Sequence, residues 1–400
     1  MSPPPEGPLR DITVLDLSRV LSGPYCTMQF ADMGARVIKI ERPGGGDDTR
    51  AWGPPFVSGE SAYFLSINRN KESVTLDFKH PEGRRLLDAL IARADVLVEN
   101  FRPGTLDDMQ LGYDALHATH PRLVYTSISG FGQTGPLRER AGYDAVLQGE
   151  AGLMSITGPA DGQGYKVGVA IADLAAGLFA AQGTLLALYE RERSGRGQHV
   201  DIAMLDSVAA LLTYQAGIYF TTGAPPTRAG NAHPTVAPYE TFRASDGDVV
   251  LAAGNDDLWR RFCRVAGLDA CATDPRFATN RDRVRNYAAL RPIVADVFGR
   301  RTRAEWLDLL NEAGIPAGPV RNLQEVLTDQ QLLAREMVHT LPHAVAGPVQ
   351  VLGTPVKLSS TPGAVRCPPP TLGEHTDTVL LGDLGLSTAE VAALRAAGVV

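Results

Sequence analysis

Short apolar, β-branched runs recur along the first third of the chain, with helical patterns between several of them. ITVLDL (12–17), ARVIKIE (35–41), VTLDF (74–78), DVLVENF (95–101) and LVYTSIS (123–129) read as strands. PYCTMQFADMG sets Pro24 near a helix start and Gly34 at its end. PEGRRLLDALIARA (81–94) spaces leucines and alanines helically behind an early Glu82. Alternating strand and helix predicts an α/β layer with a mostly parallel sheet. Ligands of such sheets bind beyond the carboxyl ends of the strands, so the residues following each strand are the ones to inspect.

Further on, DLAAGLFAAQGTLLALYERER (173–193) is a long helix candidate, stopped by SGRGQ, whose Ala and Gly face allows close approach. HVDIAM (199–204) reads as a strand and DSVAALLTYQAGIYF as a buried helix. TTGAPPTRAGNAHPT (221–235) reads as a linker or an active-site loop. A strand–turn–strand signal through Asp246–Gly247 and helical patterns at 256–266, 287–299 and 302–313 predict a small α+β domain. Residues 341–372, rich in Pro and Gly, read as irregular, and TAEVAALRAAG as a terminal helix.

The 400 residues carry 38 Lys+Arg against 45 Asp+Glu, and 44% apolar positions are enough to bury a large core. At ~150 residues per domain, two domains are expected. The acidic balance, with no long run of Lys or Arg, speaks against nucleic acid as a partner. Cys26, Cys263, Cys271 and Cys367 form no CxxC pair, which excludes a zinc ribbon or disulfide scaffold as the reading. MSPPPEGPLRD lacks the order of a signal peptide, and the longest apolar tract, Leu174 to Leu188, is broken by Gln182. The expectation is a cytoplasmic, reduced protein without a membrane partner.

Several motifs invite chemistry. GFGQTG (130–135) has the dinucleotide GxGxxG form, but Pro136 and LRERAG follow where an apolar helix should begin. A tight loop is the better reading. The eight histidines show no HExxH pattern, and Pro342 separates His339 from His343, so no metal site is expected. Lys39, Arg42, Arg50, Arg69, Lys71, Lys79 and Arg102 cluster after the early strands, as a phosphate site or a solvated surface. Asp173 stands amid small and apolar residues at a helix start. It reads either as an N-cap or as a carboxylate kept ionised and nucleophilic by the helix terminus.

Taken together, the motifs resemble the class III coenzyme A transferases (the CaiB/BaiF family), a group that includes formyl-CoA transferases and α-methylacyl-CoA racemases. The residues that carry the resemblance are VLDLSRVLSGPYCTMQFADMGARVIKIERPGGGDDTR (14–50), NRNKESVTLDFKHPEG (68–83), ADVLVENFRPG (94–104) and SGFGQTGP (129–136). AGYD (141–144), AIADLAAG (170–177), SGRGQHVDIAMLDS (194–207), AGIPAGPV (313–320) and LGEHTD (372–377) continue it in order.

The resemblance implies a Rossmann-like large domain, a smaller α+β domain and an interlocked homodimer. The expected bounds are 1–204 with 330–400 for the large domain and 229–322 for the small one, joined by linkers 205–228 and 323–343. It implies that Asp173 is the nucleophile, passing CoA to a free carboxylic acid through an anhydride and an aspartyl-CoA thioester. It places CoA on Leu21, Ser22, Arg42, Leu76, Lys79, Asn100, Phe101, Arg102 and Met109, with Tyr143 and Asp144 lining the site. CoA enters as substrate, and no tightly bound cofactor is expected.

Departures from the pattern are informative. Asp108 and Ala141 stand where formyl-CoA:oxalate transferases have basic residues, so Arg102 and Arg138 are the candidates to replace them. RAGNAHPTVAPY (228–239) replaces their glycine-run loop, so formyl-CoA and oxalate are not expected. Succinyl-CoA with another dicarboxylate is a common family pairing. The racemase alternative needs a histidine base where Tyr143 stands, and tyrosine, with a reference pKa of ~10, is a poor base at neutral pH. A non-catalytic CoA-binding regulator is the alternative of another class, and NAD-linked oxidoreduction a further one.

Overall fold

The computed structural model describes residues 7–400. The signal-peptide reading falls partly on the first six residues, which lie outside the described ones. The chain divides into two compact units. One contains the residues up to Leu153, Val167–Tyr214 and Gln330–Val400; the other contains Met154–Lys166 and Gln215–Asp329. Residues 205–214 and 330–343 therefore fold with the large unit, and 215–228 and 323–329 with the small one.

The large unit is built on six parallel strands: β1 (Thr13–Asp16), β2 (Arg36–Glu41), β3 (Lys71–Thr75), β4 (Val96–Glu99), β5 (Val124–Ser129) and β6 (His199–Ala203). Their spatial order is β3-β2-β1-β4-β5-β6, which reverses between β1 and β4. That reversal opens a crevice beyond the carboxyl ends of those two strands. The third strand begins earlier than VTLDF suggested, because Lys71 and Ser73 face inward and are satisfied by buried partners.

Apolar residues cover both sheet faces, as a buried parallel sheet requires. Leu15, Ile38, Val74 and Leu97 pack on one side with α3 (Pro81–Ile91) and α4 (Tyr113–Thr119). Val14, Val37, Val98 and Ile128 pack on the other with α1 (Ser22–Asp32) and the long α6 (Ile171–Ser194). Between these helices in chain order lie α2 (Ala62–Ile67) and α5 (Asp144–Glu150). By length and composition α6 could cross a membrane; here half of its most apolar window is buried inside the protein. Its C-terminus is set by Gly195 in the left-handed region.

Two expectations need correction. DSVAALLTYQAGIYF is not one buried helix but α7 (Met204–Leu211) and α8 (Thr213–Thr222), separated at Thr213 with φ 36°. No residue of α8 is buried, and Phe220 is 81% exposed. The stretch 341–372 is not wholly irregular. It opens with a hairpin, whose strands Val338–His343 and Gly347–Leu352 pair antiparallel over their full length. The segment 373–376 then returns to β3, with Gly373 N on Ser73 Oγ at 2.9 Å and Thr75 N on Thr376 Oγ1 at 3.0 Å.

In the small unit, β7 (Tyr239–Arg243), β8 (Asp248–Ala252) and β9 (Ala317–Pro319) form an antiparallel sheet. The turn at Asp246–Gly247 joins the first two as the sequence indicated. Helices α9 (Asp256–Ala266), α10 (Tyr287–Phe298) and α11 (Arg303–Glu312) supply Phe262, Phe298 and Trp306 to a stacked aromatic core.

Candidate active site

The crevice between β1 and β4 brings together Ser22, Asn100 and Asp173 from the sequence-selected residues. Leu17–Leu21 link β1 to α1, and Ser22 opens that helix. Asn100, the first residue after β4, reaches across. Its Oδ1 accepts from Arg19 N at 2.9 Å, and its Nδ2 donates to Arg19 O at 2.7 Å and Ser22 Oγ at 3.5 Å. The Ser22 hydroxyl and amide lie beside Asp173 and favour its charged form. Asn100 and Ser22 thus form one hydrogen-bonded group at the topological switch point, with Asp173 beside it.

Asp173 lies in the first turn of α6, but it is not the N-cap: that position is Ala170. The carboxylate at the helix start comes from Asp144. Its Oδ1 accepts from Ala172 N at 2.8 Å, and its Oδ2 accepts from Gln148 Nε2 at 2.8 Å. A second carboxylate therefore takes the role the sequence left open for Asp173, and Asp173 is released from capping. Close packing brings α6 to α1. A Cβ on Gly177 would stand 2.7 Å from Ser22 O.

The electrostatics also differ from expectation. Burial pushes the Asp173 carboxyl up, the Asp144 charge adds to it, and the neighbouring Ser22 hydroxyl and amide oppose both, leaving it at about 7. The group is poised near neutrality and not held fully ionised by the helix terminus. Tyr63, on α2, belongs to the same neighbourhood. Burial and the charges of Asp173, Asp144 and Asp47 push its phenol up to about 12, so it is a neutral O–H donor there. Its ring meets Trp52 edge to face with centroids 5.3 Å apart. Neither residue was singled out from sequence, since α2 is too short to show a period.

The cation cluster divides into two kinds. Lys39, Arg50, Arg69 and Lys71 are no phosphate ligands: they are sequestered in ion pairs with Asp47, Glu41, Asp32 and Asp16. Arg42 is exposed and paired to Asp48 at 2.9 Å. Lys79 and Arg102 are exposed. Leu21 and Leu76 are buried, the latter within the core, while Phe101 and Met109 pack partly against that core. Tyr143 is 69% exposed.

A polar cavity of about 170 Å³ lies apart from Asp173, walled by Glu99, Arg102, Asp107, Ser127, Arg138 and His199 among others. It brings together the two arginines that the sequence offered in place of the lost basic residues. GFGQTG proves to be a tight loop: Gly132 and Gly135 have φ of 89° and 86°, and the next helix does not begin until Asp144. Among the described residues no group of three His, Cys, Asp or Glu is placed to hold a metal ion.

The model of CoA-transferase family III matches residues 9–376. A succinyl-CoA:glutarate CoA-transferase of Mus musculus is 42% identical over 393 residues, covering 98% of this chain and 90% of that protein. A succinate–glutarate CoA-transferase of Agrobacterium fabrum is 44% identical over 379 residues, covering 93% and 95%. The crystal structure of a CaiB/BaiF family protein from Brucella suis superposes with a TM-score of 0.84 at 42% identity, covering 94% of this chain and 98% of that one.

Proposed function

This chain belongs to CoA-transferase family III, and from that premise we propose that it carries CoA from succinyl-CoA to glutarate through covalent intermediates on Asp173. The observation that carries the catalytic part is the Asp173 carboxyl itself. It is freed from helix capping, poised near neutrality, and has the Ser22 hydroxyl and amide beside it. The substrates are inferred from the names of full-length relatives at 42% and 44% identity.

In the proposed sequence, ionised Asp173 attacks the thioester carbonyl, the C–S bond breaks, and a mixed anhydride and CoA thiolate result. The thiolate attacks the aspartyl carbonyl, expels succinate and leaves an aspartyl-CoA thioester. Glutarate attacks that thioester, the C–S bond breaks, and a second anhydride forms as CoA thiolate leaves. The thiolate then takes the glutaryl group and returns Asp173 as the carboxylate. Each step conserves one acyl bond to oxygen or sulfur, so no outside energy source is needed. A carboxylate is a weak nucleophile in water, and holding the thioester against it supplies the missing reactivity.

Binding of CoA is proposed at the switch-point crevice, against Leu21, Ser22, Asn100 and Phe101, with Arg42, Lys79, Arg102 and Arg138 as the cations for its phosphates. Arg102 and Arg138 support this by sharing one cavity wall. The proposal extends to a homodimer, supported by the exposed apolar face of α6 at Leu178, Leu185, Leu186 and Tyr189. Mass-spectrometric assay of succinyl-CoA against glutarate, oxalate and monocarboxylic acids tests the substrate reading. Glutaryl-CoA is expected to form fastest; preferred use of a monocarboxylic acid would overturn it.

A further inference from the structure

The β1–α1 loop that presents Ser22 is held by an arrangement buried beneath it. Val20 sits at φ 70°, a region in which a β-branched residue is strained. Such a conformation persists only where the surroundings over-determine it. Here they do, peptide by peptide. Ser18 N donates to Asp16 Oδ1 at 2.9 Å, and Ser18 O accepts from Lys39 Nζ at 2.8 Å. Both polar groups of the Arg19 backbone are taken by Asn100. Val20 N donates to both oxygens of Asp47 at 3.2 Å.

Asp47 and Lys39 are an ion pair at 2.9 Å with each side chain only 1% exposed. Burying such a pair costs desolvation that a pair of apolar side chains would avoid, so stability alone is a poor reason for it. Its geometry offers another reason: Lys39 reaches the carbonyl two residues before the one whose amide Asp47 holds. Beside it, Lys71 ties Asp16 at 3.1 Å to Pro24 O at 2.9 Å, fixing the first turn of α1.

We propose that the Lys39–Asp47 pair is a buried clamp that positions the β1–α1 loop in its strained form, and so holds Ser22 against Asp173. Lys39 and Asp47 are positioning residues and touch no reacting atom. The inference rests on Asp173 as the reacting group for its catalytic meaning, though not for its structural content. The other titratable groups facing Asp173 are Asp144 on α5 and Tyr63 on α2. Neither makes a hydrogen bond to the loop.

The test uses Lys39→Met/Asp47→Asn, which removes both charges together and leaves no buried ion unpaired. Val20→Gly relieves the strain without touching the ions, and Ser22→Ala sets the full effect of losing the side-chain donor. Modification of Asp173 by a water-soluble carbodiimide, followed on its peptide by mass spectrometry, reports the protonated carboxyl directly and needs no turnover. In the double variant the midpoint of that modification should move up by about one pH unit, a tenfold change in the protonation ratio. The kcat at pH 7 should fall while the KM for the carboxylic acid stays within about twofold. Val20→Gly, which keeps the clamp and removes only the strain it opposes, should leave the midpoint where it is, with an equal or higher melting temperature.

A folded double variant with an unmoved midpoint overturns the clamp; should it not fold, Asp47→Asn alone decides by the same criterion. A shifted midpoint with unchanged kcat leaves the clamp standing and contradicts Asp173 as the reacting group. An unmoved midpoint beside an inactive Asp173→Ala removes the clamp alone.

Discussion

Asp144 places its carboxylate on the amide of Ala172, so its negative charge stands beside Asp173 and raises the affinity of that carboxyl for a proton. Asp144→Asn keeps an oxygen for the Ala172 amide and removes the charge. The rising limb of the pH–rate profile, set near 7 by Asp173, should then move to lower pH by about one unit. Initial rates between pH 5 and 9 check this, and an unmoved limb would show that another group sets the profile.

Gly177 is where α6 meets α1. A methyl group there would lie 2.7 Å from Ser22 O, a backbone atom that cannot swing aside. Gly177→Ala should cost about 1–3 kcal/mol of stability by overpacking. It should also lower kcat, because the two helices that carry Ser22 and Asp173 must part. Retention of full activity with a lowered melting temperature would separate the packing from the chemistry.

Glu99 is buried at the end of β4, and burial pushes its carboxyl up to about 7 despite the hydrogen bond from the Phe101 amide and the nearby Ser127 hydroxyl. Its folded pKa lies above the unfolded value, so the folded state binds the extra proton between roughly pH 4.5 and 7. The associated stability is present below that window and lost as pH rises through it. Glu99→Gln should therefore gain up to about 3 kcal/mol over the natural chain at pH 8 and little at pH 4. Denaturant unfolding at the two pH values measures the difference.

In the small unit, Arg283 is fully buried and its guanidinium donates to the carbonyls of Ala237, Phe277 and Gly254 and to Asp256. Arg283→Met would strand these acceptors. A loss of about 3–5 kcal/mol is expected, seen by calorimetry as a lowered transition of this unit. A loss under 1 kcal/mol would mean that water replaces the guanidinium.

Much of the fold was written in local patterns. The parallel strands announce themselves as apolar runs, the hairpin turn as Asp246–Gly247, and α6 by its small-residue face and the SGRGQ stop. Asp173 was legible because an acid among alanines at a helix start is unusual. Its cap was not, since Asp144 lies twenty-eight residues earlier in the chain than the amide it accepts from. The cations misled for a related reason: whether a lysine faces water or a buried carboxylate is a tertiary fact. Lys39 did carry a signal, as the one charge inside the apolar run VIKI of a strand with both faces covered. Such a position demands a buried partner, and Asp47 supplies it.

The central claim is that Asp173 becomes acylated. Incubation with succinyl-CoA followed by hydroxylamine should convert Asp173, and no other carboxyl, to its hydroxamate, located by peptide mass spectrometry, with the mark absent when succinyl-CoA is omitted. A chain that turns over succinyl-CoA while its Asp173 peptide stays unmodified would contradict the account.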